Sequence, residues 1–158
     1  MNFNSKNAQG FFKLVSNLCS DLRMSVTRDH SIDGRMKCGD GYRVTFKRNG
    51  HSFRTQFNNS RYNSEKGILP DIQDILYCLL CDRDAYEFAP DYSDFCSEFG
   101  YDEYNDYGSR KNKDAVRAFN GCRKIAERIN AMFSNEEIDR LNEYCNMTPS
   151  QISEALAC

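Results

Sequence analysis

Asn49-Gly50 stands between two stretches of alternating apolar and polar residues, Tyr42–Arg48 and His51–Phe57. A two-residue type I′ turn needs positive φ at both positions, and Asn-Gly adopts it readily. Such a turn dictates the register, setting Phe46 against Phe53, Val44 against Thr55, and Tyr42 against Phe57. These residues share one face, where each favourable cross-strand pair contributes a few tenths to ~1 kcal/mol. The opposite face carries Arg43 with Gln56, Thr45 with Arg54, and Lys47 with Ser52. One side is a core face and the other is basic and solvent-facing. A lone hairpin is marginally stable, so a third strand over Met24–Arg28, or a helix, has to complete the layer.

Helical periodicity accounts for most of the remainder. Phe11, Leu14, Val15, Leu18 and Leu22 recur at helical spacing and predict a first helix over Lys6–Arg23. Asp29–Asp40 and Asn58–Lys66 read as loops. Pro70 suits the first turn of a helix, with Asp71 and Asp74 near its positive end. Ile72–Cys81 is apolar nearly all round, which predicts a buried helix closed by Asp82-Arg83-Asp84. Asp91 is an N-cap for a short helix bearing Tyr92, Phe95, Cys96 and Phe99, and Gly100 supplies a left-handed C′ residue. A long helix over Lys111–Phe133 carries the stripe Ala115, Phe119, Cys122, Ala126, Ile129 and Phe133. Ser134-x-x-Glu137 and Thr148-Pro149-x-Gln151 are capping boxes that open two more helices. The predicted fold is α+β: an N-terminal helix, a small antiparallel sheet holding the hairpin 42–57, then a cluster of four to five helices. The 158 residues suit one domain, with helix and hairpin in 1–66 and a helical part in 67–158.

Eight cysteines raise the question of metal or disulfides. The opening residues form no secretory signal and no apolar run is long enough to span a bilayer, so the expectation is a cytoplasmic chain with reduced thiols and no membrane contact. Cys78-x-x-Cys81 has zinc-ligand spacing, and Cys96 and Cys122 would complete four thiolates. The pair lies mid-helix in an apolar run, however, and cysteine there behaves as a small hydrophobe. Core packing is therefore expected, with no metal and no cofactor. His30 and His51 sit in a loop and beside a turn, and no spacing of carboxylates singles out an acid–base pair. No catalytic residues are assigned, and the chain is read as non-enzymatic.

Charge is distributed unevenly. Net charge is −2, yet residues 1–66 hold 12 Lys and Arg against 5 Asp and Glu, a net +7. Residues 82–107 hold Arg83 against 9 acids, a net −8. Tyrosine accompanies the acids, and together they suit a surface that docks on a basic cleft. The candidate partner-binding residues are Asp91, Asp94, Glu98, Tyr101, Asp102, Glu103, Tyr104, Asp106 and Tyr107. Alternatively, Lys113, Arg117, Lys124 and Arg128 on the long helix neutralise this segment within the molecule. A second functional reading assigns Arg43, Lys47, Arg48 and Arg54 to phosphate contacts with a nucleic acid. A third pairs the basic N-terminal part of one copy with the acidic segment of another in a homodimer.

Asp71–Asp82, Asp94–Asp102, Ser109-Arg110 and Cys122 carry a resemblance. Hairpin, "D-x-L-x-C-L-x-x-D" helix, "F-x-x-[FW]-C-x-x-F-G-Y" helix and a long helix with a central Cys resemble a loose group of small phage and prophage accessory proteins. The resemblance spans about Tyr42–Tyr144, departing in the enlarged Tyr/Asp-rich connection at Asp102–Gly108. It implies a phage-type, anti-CRISPR-like inhibitor in the bacterial host cytoplasm. Its partner would be a bacterial defence effector protein, such as a CRISPR–Cas nuclease or complex. The resemblance transfers no catalytic residue.

Overall fold

The computed structural model describes residues 6–28, 41–58 and 72–158. The loops expected at 29–40 and 59–66, the helix start at Pro70-Asp71, His30 and Cys38 lie outside them. The order is α1 (Lys6–Leu18), β1 (Arg23–Arg28), β2 (Gly41–Arg48), β3 (His51–Asn58), α2 (Ile72–Phe88), α3 (Tyr92–Phe99), α4 (Lys113–Met132), α5 (Asn135–Cys145) and α6 (Pro149–Ala157). This is the α+β arrangement predicted from the sequence, with five described helices after the sheet. No helix among the described residues is long and apolar enough to cross a membrane. Contacts cluster into two compact units: Met1–Tyr77 with Ser134–Cys158, and Cys78–Phe133.

In the first unit the sheet is antiparallel in the order β1-β2-β3. The hairpin has the predicted register, Phe46 opposite Phe53 and Tyr42 opposite Phe57. Asn49 and Gly50 take φ 49° and 78°, as the turn demands. Tyr42, Val44 and Phe46 are buried, and the Phe46 and Phe53 rings stack with centroids 6.1 Å apart. β1 is the third strand, setting Met24 opposite Phe46 and Val26 opposite Val44.

α1 ends five residues short of its predicted limit. The chain turns at Cys19–Leu22, where Leu22 N donates to Cys19 O, and Arg23 joins the sheet opposite Lys47. Leu22 continues the helical spacing and is still buried, which is why periodicity alone overran the boundary. Both predicted capping boxes form, Ser134 with Glu137 and Thr148 with Gln151. Nε2 of Gln73 donates to the carbonyls of Tyr144, Cys145 and Met147, closing the C-terminal end of α5.

α1 packs on α6 around Gly10, where a Cβ would lie 2.8 Å from Ile152 Cγ2. Leucine is the better helix former, but here it overpacks a filled contact. Gly10→Leu should therefore lower stability by about 1–2 kcal/mol in urea unfolding.

Two expectations about α2 are corrected. The helix does not close at Asp82-Arg83-Asp84 but continues to Phe88. Those charges suit a half-exposed helix, and Arg83 Nε donates to Asn130 Oδ1 at 2.9 Å. Pro90 then blocks continuation. The apolar run is also not buried all round: Ile72, Ile75, Leu76, Leu79 and Leu80 form the buried stripe, whereas Cys78 and Cys81 are exposed. Cys96 is buried and Cys122 half-buried. A uniformly apolar stretch carries no periodicity from which to choose its inner face, so the core role expected of Cys78 and Cys81 does not hold.

Candidate interaction surface

The acidic, tyrosine-rich segment lies wholly in the second unit and is built on α3. Asp91 Oδ1 accepts from Ser93 N and Asp94 N to start the helix. Gly100, at φ 72°, ends it, and Tyr101 N donates back to Cys96 O. Phe95 sits at the centre of an aromatic cluster, 4.8 Å from Phe99, 5.4 Å from Phe119 and 6.0 Å from Tyr101 between centroids. Phe119 reaches on to Tyr86 and Tyr92. These rings hold α3 against α4 and fix where Tyr101 leaves the helix.

The following connection is a closed loop. Tyr92 Oη donates to Glu103 O, and Asn112 N donates to the same carbonyl. Tyr104 and Lys111 form an antiparallel bridge, and Asn105 N donates to Arg110 O at 2.8 Å. Gly108, at φ 64°, turns the tip. Lys111 Nζ lies 4.5 Å above the Tyr92 ring. Burial pushes the Tyr92 phenol up to about 12.

This scaffold presents aromatic rings to solvent: Phe88 is 70% exposed, Phe99 43%, Tyr101 38%, Tyr104 47% and Tyr107 89%. Glu103 Oε2 accepts from Ser93 Oγ, and Asp91 is the cap already described. Asp94, Glu98, Asp102 and Asp106 are exposed, and among the described residues their side chains make no hydrogen bond or ion pair. The basic stripe of α4 does not reach them. Its ion pairs are local, Arg117 with Asp114 and neighbouring Arg123 with Glu127, both at 3.9 Å. The predicted acidic and tyrosine residues thus fall in one short stretch of the second unit, 91–107, and none of its acids is ion-paired to α4.

Beside this surface α2, α3 and α4 border an open cleft of about 570 Å³. Phe95, Phe99, Tyr101 and Ile125 supply apolar walls, and Asp82 and Cys122 supply half-buried polar groups. Burial raises the Asp82 carboxyl above the usual carboxylate range. Burial, and secondarily the charge of Asp82, pushes the Cys122 thiol up to about 11. Sequence reasoning counted Asp82 as helix-closing charge and as one of the nine acids of 82–107; the signal for its partial burial was Leu79, a buried residue three positions before it.

The basic hairpin loses one of its four candidates. Arg43 is half-buried while Lys47 and Arg54 are exposed on the outer face. Arg48 turns inward instead. Its Nη1 and Nη2 donate to both oxygens of Glu137 at 2.7 and 2.8 Å, and Nε donates to Asp21 at 2.9 Å. Strand alternation explains this, since Arg48 has the parity of Tyr42, Val44 and Phe46 and falls on the core side. The carboxylate of Glu137 beside this guanidinium is held down to about 2. Compared with protein-family models, with curated proteins and with solved structures, the chain matches none.

Proposed function

We propose that the protein works by stoichiometric binding rather than by chemistry, with the acidic and aromatic surface of its second unit docking on a basic surface of another protein. The observation that carries this reading is that Asp94, Glu98, Asp102 and Asp106, whose side chains make no hydrogen bond or ion pair among the described residues, share the stretch 94–107 with the exposed rings of Phe99, Tyr101, Tyr104 and Tyr107. Carboxylates complement arginine and lysine, while rigid tyrosines supply contact area at small entropic cost. The closed loop keeps the surface organised before binding, which lowers the ordering penalty. Taken with the resemblance to phage accessory proteins, the partner is a bacterial defence effector of the CRISPR–Cas type, whose nucleic-acid channel is a basic surface of the required sign.

The test is a plaque assay. Bacteria whose CRISPR–Cas system targets a phage should regain sensitivity to it when they express this chain. Purified effector should lose nuclease activity in proportion to the chain added, up to one equivalent. Continued immunity with unchanged nuclease activity rejects the inhibitor reading.

Nucleic-acid binding by the outer face of the sheet is a second reading. Arg23 lies opposite Lys47 in the register and replaces the charge lost at Arg48, beside the retained Lys47 and Arg54. Absence of a gel shift at low salt dismisses it.

A further inference from the structure

The cleft beside the acidic surface has features that general surface charge does not explain. Asp82 is half-buried among apolar walls, and among the described residues its carboxylate makes no hydrogen bond or ion pair. A desolvated carboxylate without a partner is unfavourable and is relieved by a cation brought to it. The cation already bordering the cleft, Arg117, has a side chain 83% exposed and lies 3.9 Å from Asp114. Gly121 also lines the cleft from within α4. Glycine is the poorest helix former after proline, and no close contact requires it here, since a Cβ on Gly121 would meet nothing within 4 Å. The position keeps space open.

The geometry points to an anchoring pocket: this cleft takes one arginine side chain of the partner, its guanidinium pairing with Asp82 and its stem and plane lying against Phe99 and Tyr101. Arginine fits better than lysine, because the planar guanidinium both stacks on rings and meets a carboxylate with two donors. Interfaces concentrate their affinity in a few such desolvated anchors, while rim charges mainly steer the approach. The inference rests on the binding reading above and specifies the chemistry of its central contact.

The experiment titrates the full ¹⁵N-labelled chain with an acetylated hexa-arginine peptide, using hexa-citrulline as an uncharged control of like shape. Saturable shifts are expected around residues 81–85, 99–101 and 117–122, with hexa-arginine only. Asp82→Asn should weaken this binding about tenfold or more. Gly121→Leu, which fills the cleft while improving the helix, should do the same and unfold at an equal or higher temperature. Shifts confined to Asp102–Gly108 and indifferent to both variants overturn the pocket but leave the acidic docking surface standing. No saturable shift at all also overturns it. The docking surface itself is judged separately, by charge reversal outside the cleft.

Discussion

Glu98→Lys, Asp102→Lys and Asp106→Lys combined are expected to abolish inhibition of the effector, with at least a ~100-fold loss of affinity. The three carboxylates are exposed and have no internal partner among the described residues, so their reversal breaks nothing inside the chain. Thermal unfolding should therefore stay within about 2 °C of the parent, as for surface changes of under ~0.5 kcal/mol. Glu103 is deliberately left alone, because its hydrogen bond to Ser93 would confuse docking with stability. Calorimetric titration of the variant against the effector decides the matter. The parent complex should also associate more slowly as salt rises, because the acidic surface steers encounter over roughly a Debye length of ~10 Å at 0.1 M. Full inhibition by the triple variant would mean that the protein meets its partner elsewhere.

The second large effect concerns stability and centres on Glu137. This side chain does two jobs. One oxygen accepts from Ser134 N in the capping box of α5, and both oxygens accept from Arg48 at the end of β2. The Arg48 side chain is only 11% exposed and that of Glu137 21%. Removing either partner strands the other's charge in a poorly solvated place. Breaking a fully buried pair costs about 3–5 kcal/mol; this pair is partly solvated, so Arg48→Ala should cost about 2–3 kcal/mol in urea unfolding. Glu137→Gln, which keeps the shape and part of the cap, should cost about 1–2 kcal/mol. Arg48→Met combined with Glu137→Gln should recover part of the loss, because the one carboxylate left without its partner, Asp21, is 43% exposed and solvated.

Acid should reveal the same pair. Glu137 is held down to about 2 from an ordinary 4.5, with the hydrogen bonds from Arg48 as the main cause. Its folded value lies below its unfolded one, so the stabilisation is fully present above pH 4.5 and fades as pH falls towards about 2. Asp21 is shifted in the same direction by Arg48. Unfolding free energy measured between those limits should fall with decreasing pH, and Glu137→Gln should flatten that slope. An unchanged slope would show that other carboxylates govern the acid response.

How far this chain can be read in advance depends on how local the information is. The hairpin register followed from Asn49-Gly50 and strict alternation, since a shift by one residue would turn Phe46 and Tyr42 to the outer face. The caps at Asp91, Ser134 and Thr148 were equally legible, because a cap is satisfied by a backbone N–H only two or three residues away. Concentration of acid and tyrosine over residues 82–107 was visible for the same reason, as a property of neighbouring positions.

What escaped depended on partners distant in the chain. From the sequence Arg48 is one more cation of the hairpin; in the structure Glu137, 89 positions later, holds it. The inner side of Ile72–Cys81 could not be chosen without knowing what packs against it, and so Cys78 and Cys81 were placed in the core though they face outward. Whether Lys113, Arg117, Lys124 and Arg128 quench the acidic segment turned on distances between separate elements, and Asp82's cleft exists only where three helices border one another. Turns, caps and alternation are settled among near neighbours by φ, ψ and hydrogen-bond reach. Burial and charge pairing are settled in space, by whichever remote side chain arrives first, and that ordering is written in the packing alone.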